Sequence, residues 1–180
     1  MKEKKDIIKS IAVLFVICLV VSAALAVVNS FTAPVSAANA AAREDEARRA
    51  VIPEAAEFRP VELTLPDGVV SAYEGVDADG GTLGYVFTVE GKGFDGTISV
   101  MCAIGSDGTI LRVNTLDVSS ETKTLGGKTA NPEYTDQYTG QDETLSGVNA
   151  ISGATITSTA YRGCVETAFE AFGTIKEAGK

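Results

Sequence analysis

Residues 151–158, Ile-Ser-Gly-Ala-Thr-Ile-Thr-Ser, connect a glycine-containing turn to the last helix that the sequence predicts. We expect this helix over residues 158–176, because apolar residues recur there at helical spacing: Ala160, Cys164, Val165, Ala168, Phe169 and Phe172. The first N–H groups of a helix have no partner within it and favour an anion. The stretch therefore predicts a phosphate seat to which Thr157 and Ser158 add hydroxyls. Because Ser and Thr also cap ordinary helices, a simple N-cap remains the alternative.

The region before this stretch is predicted to form an antiparallel sheet. Strand candidates lie at residues 69–75, 83–90, 97–104 and 110–118, and turn signals such as Ser106-Asp107-Gly108 separate them. Side chains two residues apart lie on the same face of a strand. In the second strand one face therefore holds Leu83, Tyr85, Phe87 and Val89, and in the third strand one face holds Ile98, Val100, Cys102 and Ile104. With helices covering this sheet, the fold class is α+β.

Residues 119–147 form a long segment without a periodic pattern. Its bulky residues are Tyr134 and Tyr138, among many Gly, Thr, Asn and Asp. A loop of this length inside a compact domain is usually functional or disordered.

The N-terminal part of the chain is predicted to anchor it in a membrane. Residues 11–28 carry no charge, and four lysines precede them. The excess of positive charge places the N-terminus in the cytoplasm and the body outside. A cleaved signal peptide is the alternative, since small residues follow Pro34. Residues 37–51 predict a solvated spacer helix that ends before Pro53.

Composition excludes several kinds of chemistry. The chain has 180 residues, no His and no Trp, and its net charge is −9. Without His there is no Ser–His–Asp catalysis and no imidazole metal site. The three cysteines, Cys18, Cys102 and Cys164, do not cluster as zinc or iron–sulfur ligands would. Residues 1–30 carry +2, so the rest carries −11 and would repel nucleic acid.

Residues 152–158 resemble the SGAT-x-TS signature of the RnfG/NqrC FMN-binding domain family. The resemblance implies that Thr155 carries FMN through a phosphoester bond, with the surrounding residues forming the cofactor site: Ser152, Gly153, Ala154, Thr157 and Ser158. A second segment, residues 121–126, resembles the family's E-T-P-G-L-G stretch. It implies further flavin contacts from Glu121, Thr122, Leu125 and Gly126, while Lys123-Thr124 replaces Pro-Gly. The family usually has Asp at the position of Asn149.

The resemblance also implies a function and partners. The chain would be a membrane-anchored electron carrier of the Rnf complex, which moves electrons between ferredoxin and NAD and translocates ions, and it would not be catalytic alone. Its partners would be the other complex subunits and a flavin transferase. The implied organisation is a cytoplasmic N-terminus at 1–10, a transmembrane helix at 11–30, a helical spacer at 31–55 and an extracytoplasmic FMN-binding domain at 56–180. Alternatives are an NqrC-like component of a sodium-pumping NADH:quinone reductase, a stand-alone FMN-binding domain that serves another reductase, and an anchored scaffold without a redox role.

Cys102 and Cys164 both belong to apolar stripes. A disulfide between them is chemically allowed outside the cell, and two buried free thiols are the alternative.

Overall fold

The computed structural model describes residues 2–179, with side chains for residue 9 and residues 11–179. The described residues divide into two compact units, one ending at Arg43 and the other beginning at Glu44. The elements are α1 (Lys2–Val51), β1 (Glu57–Pro60), β2 (Val69–Val76), β3 (Thr82–Lys92), β4 (Thr97–Gly105), β5 (Ile110–Asp117), α2 (Pro132–Thr135) and α3 (Thr155–Ala178). Short 3₁₀ helices cover Gly126–Ala130 and Asp136–Tyr138.

The first unit consists of the helical residues of α1 up to Arg43. Its apolar side chains are exposed on all sides, for example Leu14 at 63% and Phe15 at 67%. Among the described residues, α1 is the one helix that is long and apolar enough, from Ile11 onward, to cross a membrane. The helix continues through Pro34.

The second unit is built on an antiparallel sheet in the order β1-β2-β3-β4-β5, which confirms the predicted α+β fold. Each strand pairs with its neighbour in sequence, so the sheet is a simple meander. The four predicted strands are present, and β1 was missed because it has only four residues.

The principal core lies between one face of the sheet and α3. The alternating apolar residues of β4 all belong to it: Ile98, Val100, Cys102 and Ile104. On β3, Tyr85, Phe87 and Val89 also face this core, as predicted. The prediction was wrong for Leu83, which packs with the second cluster described next. Leu83 lies near the beginning of β3, where the register with β2 shifts between Gly75 and Val76.

The second face of the sheet is covered by the end of α1. Ala47 and Val51 are buried there against Val86, Met101 and Ala103. The predicted solvated face is present, since Glu46 and Arg49 are exposed, but the last two turns also have a buried face that was not predicted. The local pattern of Ala, Glu and Arg did not indicate burial, because the contacts come from strands far along the chain.

Three tyrosines pack the segment between β5 and α3 against α3. Tyr134 and Tyr138 are buried, with hydroxyls 3.0 Å apart, and the ring of Tyr134 lies 5.3 Å from that of Tyr161 on α3. The hydroxyl of Tyr134 also donates to the carbonyl oxygen of Ser158 at 3.3 Å. The long segment is thus packed against the helix whose first turn it adjoins.

Candidate functional site

Three segments distant in sequence surround a cavity of about 330 Å³. They are the turn between β3 and β4, the segment that follows β5, and the first turn of α3. The lining residues are Phe94, Glu121, Thr122, Leu125, Gly126, Gly153, Ala154, Thr155, Ile156 and Thr157. A volume of this size lies at the lower end of the range for small-molecule sites.

The first turn of α3 has no side-chain cap among the described residues. Ala154 occupies the N-cap position, and the first helical hydrogen bond runs from the Ser158 N–H to the Ala154 carbonyl at 2.9 Å. The N–H groups of Thr155, Ile156 and Thr157 precede that bond, so they have no partner within the helix. The helix begins three residues earlier than predicted. The ordinary N-cap interpretation is therefore wrong, and the uncapped end lines the cavity.

Gly153 shapes the turn that leads into the helix. Its φ is +81°, a left-handed conformation that favours glycine. A Cβ at this position would also lie 3.3 Å from the side chain of Leu125. The following N–H, that of Ala154, donates to the carbonyl of Ile151 at 3.0 Å and closes the turn. The turn thus brings Thr155 to the mouth of the cavity.

Thr155 is the first residue of α3, and its side chain is exposed. Ile156, the next residue, is 56% exposed and also lines the cavity. A hydroxyl at this position is accessible to a reagent and adjoins the uncapped N–H groups.

The hydroxyls of Thr157 and Ser158 have protein partners. Thr157 donates to the carboxylate of Glu121 at 2.6 Å, and Ser158 accepts the N–H of Ile151 at 3.1 Å. Both residues are buried. In this structure both hydroxyls are engaged inside the protein, and Thr157 lines the cavity whereas Ser158 does not, so their contribution to a phosphate seat stays a prediction. Ser152 is exposed and does not line the cavity.

Glu121 is buried beside the cavity, with 5% of its surface exposed. Its carboxylate accepts the hydroxyl of Thr157 and the N–H of Asp95, the latter at 3.0 Å. Burial raises the pKa of this carboxyl, but hydrogen bonds from Thr157 and from the backbone of residues 94–96 outweigh it, and the pKa lies below its ordinary value. The group is ionised at neutral pH.

Exposed apolar side chains lie around the mouth of the cavity. Phe94 is 67% exposed and Leu125 is 42% exposed, and together with Ile156 they present apolar surface to solvent. Sequence reasoning missed Phe94 and Ile156. For Phe94 the sequence contained a signal: a large aromatic residue stands in the middle of the Gly-Phe-Asp-Gly turn, where small polar residues are usual.

The basic residues next to these segments do not line the cavity. Among its described lining residues none is Lys or Arg, and Lys123 and Lys128 are exposed elsewhere on the surface. Asn149 also lies outside the cavity: its N–H donates to the side-chain oxygen of Gln137 at 2.9 Å, and its side-chain amide donates to the carbonyl of Gly147 at 3.4 Å. Without a basic side chain, the N-terminus of α3 is the element of the cavity that would favour an anion.

Comparison with known proteins agrees with this geometry. The model of the FMN-binding domain family matches residues 93–170, a range that contains all three cavity segments. The G subunit of the ion-translocating oxidoreductase complex of Methanosarcina acetivorans is 32% identical over 181 residues, covering 94% of this chain and 96% of the relative. The chain belongs to the RnfG family of ion-translocating oxidoreductase complexes.

A second relative and a solved structure extend the comparison. The G subunit of the Na⁺-translocating ferredoxin:NAD⁺ oxidoreductase complex of Acetobacterium woodii is 30% identical over 194 residues, covering 93% of this chain and 92% of the relative. The crystal structure of NqrC from Shewanella oneidensis superimposes with a TM-score of 0.52 at 21% identity, over 68% of this chain and 70% of that one. The structural likeness establishes the fold.

Proposed function

We propose that Thr155 carries FMN through a phosphoester bond and that the chain is the electron-carrier subunit of an ion-translocating oxidoreductase complex. The observation that carries this proposal is the position of Thr155: an exposed hydroxyl on the first residue of a helix whose uncapped N-terminus lines the cavity. A phosphate esterified there lies next to N–H groups and the positive end of the helix dipole.

The rest of the cavity fits a flat aromatic ring. Phe94, Leu125 and Ile156 supply exposed apolar surface around it, and a planar ring system packs favourably on such side chains. Since none of the described lining residues is basic, the site favours a phosphate through backbone N–H groups instead of a lysine or an arginine. The donor set therefore suits a flavin mononucleotide.

Covalent attachment of FMN requires a reaction at one oxygen of this chain, the hydroxyl oxygen of Thr155. The hydroxyl of Thr155 would form a bond to the FMN phosphorus of FAD, the phosphoanhydride bond would break, and AMP and a proton would leave. A separate flavin transferase would hold the FAD, and the exposure of Thr155 leaves the hydroxyl accessible to it.

Bound FMN supplies the capacity to take up and release electrons one at a time. The chain would position the cofactor. In this arrangement α3 holds the phosphate, and the apolar side chains at the cavity mouth hold the ring and keep water from one of its faces. The covalent bond prevents loss of the cofactor. Phe94 and Leu125 would then influence the potential through the polarity around the ring.

The proposed setting is a membrane complex. The names of the two relatives place them in complexes that translocate ions, one of them using ferredoxin and NAD⁺. In this chain α1 would cross the membrane from a cytoplasmic N-terminus, since the lysines precede the apolar stretch, and the second unit would lie outside. The other subunits of the complex would exchange electrons with the flavin.

Mass spectrometry tests the proposal directly. Full-length protein from its native membranes, or made together with a flavin transferase, is expected to carry one FMN on the tryptic peptide 129–162. Thr155→Ala should abolish the added mass and the yellow colour. Thr159→Ala is the matched control, because Thr159 is an exposed threonine one turn further along α3, and it should retain the flavin. Unmodified wild-type protein made with an active transferase would instead favour an anchored scaffold.

A further inference from the structure

Glu121 connects two parts of the cavity wall that are far apart in sequence. Among the described residues it is the one charged residue that is buried. One carboxylate oxygen accepts the N–H of Asp95 in the turn between β3 and β4, and the other accepts the hydroxyl of Thr157 in the first turn of α3. The backbone of Phe94 and Gly96 donates to the same carboxylate. All of these hydrogen-bond donors to the Glu121 carboxylate are groups of the protein.

Two glycines make room for this carboxylate. A Cβ at Gly93 would overlap one of its oxygens, and a Cβ at Gly126 would overlap the other and lie 2.7 Å from the Thr157 hydroxyl. Real Cβ atoms do not approach oxygen atoms so closely. The lack of a side chain at Gly126 is thus accounted for by the position of the Glu121 carboxylate.

The interaction is strong for a physical reason. A buried carboxylate that accepts several donors is stable, whereas one that loses a donor keeps its charge without compensation. The geometry therefore resists any separation of the two segments that Glu121 joins.

We propose that Glu121 is a positioning residue of the flavin site, whose carboxylate holds the Phe94 turn against the first turn of α3. It thereby fixes the ring-binding side chains relative to Thr155. This inference rests on the proposed function, and it assigns to Glu121 a role different from the flavin contact that the family resemblance implies.

The first test uses full-length, flavin-free protein in detergent micelles and measures amide hydrogen exchange. Thr157→Val removes the hydroxyl, whereas Thr157→Ser retains it. In the Val variant we expect the amides of residues 94–96 to exchange about tenfold faster, since a hydrogen bond to a charged group is lost. The Ser variant should remain like the wild type. Faster exchange confined to α3 would overturn the proposal, because the two segments would then be independent.

The second test uses flavin-loaded protein and compares Glu121→Gln with Glu133→Gln, which removes an exposed carboxylate on α2. We expect Glu121→Gln to reduce the visible circular dichroism of the flavin at least about twofold, as ring placement loosens, and Glu133→Gln to leave it unchanged. Identical spectra for the wild type and Glu121→Gln would contradict the proposal. If the wild type carries no flavin, the proposed function fails, and the exchange experiment still decides the role of Glu121.

A pH series adds a third readout. Because the folded pKa of Glu121 lies below its unfolded value, the stability that the ionised carboxylate contributes is present above the unfolded pKa and is lost as pH falls through the folded pKa. The difference in thermal midpoint between the wild type and Glu121→Gln should therefore be largest at neutral pH and disappear in acid. A difference that does not change with pH would contradict a role for the ionised carboxylate.

Discussion

At the scale of single residues, the site depends on backbone conformations that few side chains tolerate. Gly153 has a φ of +81°, and the side chain of Leu125 would lie 3.3 Å from a Cβ there. Glycine at position 153 is therefore required by the turn that presents Thr155, whether or not a ligand is bound.

Replacing Gly153 by Ala is expected to destabilise the flavin-free protein by about 1–2 kcal/mol, because Ala is strained at positive φ. Gly163→Ala is the control, and it is expected to change the free energy of unfolding in the opposite direction. Gly163 lies within α3, a Cβ there would meet nothing within 4 Å, and Ala in a helix interior stabilises by about 0.5–1 kcal/mol. Urea unfolding of both variants measures the two effects, and equal effects would show that the turn at Gly153 carries no strain.

At the scale of secondary-structure elements, the end of α1 is part of the folded second unit. Val51 is 2% exposed, and the guanidinium of Arg48 lies 3.8 Å from the centre of the Tyr73 ring. Glu44 accepts hydrogen bonds from Ser71 at 2.7 Å and from Thr88 at 3.2 Å. One helix thus contains both a membrane-crossing candidate and one cover of the sheet.

Val51→Ala should lower the free energy of unfolding by about 2 kcal/mol, through lost burial and the cavity left behind. Val70→Ala is the matched control, since Val70 lies on β2 with 60% of its surface exposed, and its effect should stay within about 0.5 kcal/mol. Denaturant unfolding followed by circular dichroism measures both variants. Similar losses in the two variants would mean that the end of α1 does not pack on the sheet in solution.

At the scale of the whole molecule, the sheet separates two apolar clusters, and the larger cluster contains both cysteines of the second unit. Cys102 and Cys164 are free thiols in the structure. Burial raises the pKa of the Cys102 thiol well above its ordinary range and that of Cys164 to about 11. Neither thiol forms much thiolate near neutral pH, so both should react slowly with alkylating agents.

The reactivity of these thiols should report on the integrity of the core. In a Cys18→Ser variant, we expect no alkylation of the native protein at mildly alkaline pH and labelling of both thiols after unfolding without a reductant. Intact mass counts the labels. If labelling of the unfolded chain required prior reduction, a disulfide would be present in the isolated protein, and the free-thiol arrangement would be wrong for it.

The features that arise from neighbouring residues could be predicted from the amino-acid chain. The period of two placed Ile98, Val100, Cys102 and Ile104 on one buried face, and the helical spacing placed Cys164, Val165 and Ala168 on another, because each pattern depends on backbone geometry alone. The small residues before α3 and the hydroxyl of Thr155 were likewise recognisable in the chain.

Contacts between groups that are far apart in the chain could not be predicted, because they arise from the packing of the elements. The hydroxyl of Thr157 donates to Glu121, 36 residues away, although its local position is that of a capping residue. Phe94 and the end of α1 acquired their roles in the same way, one at the cavity mouth and the other on the sheet. Such pairings depend on how the elements pack, and the spacing of residues along the chain contains no signal for them.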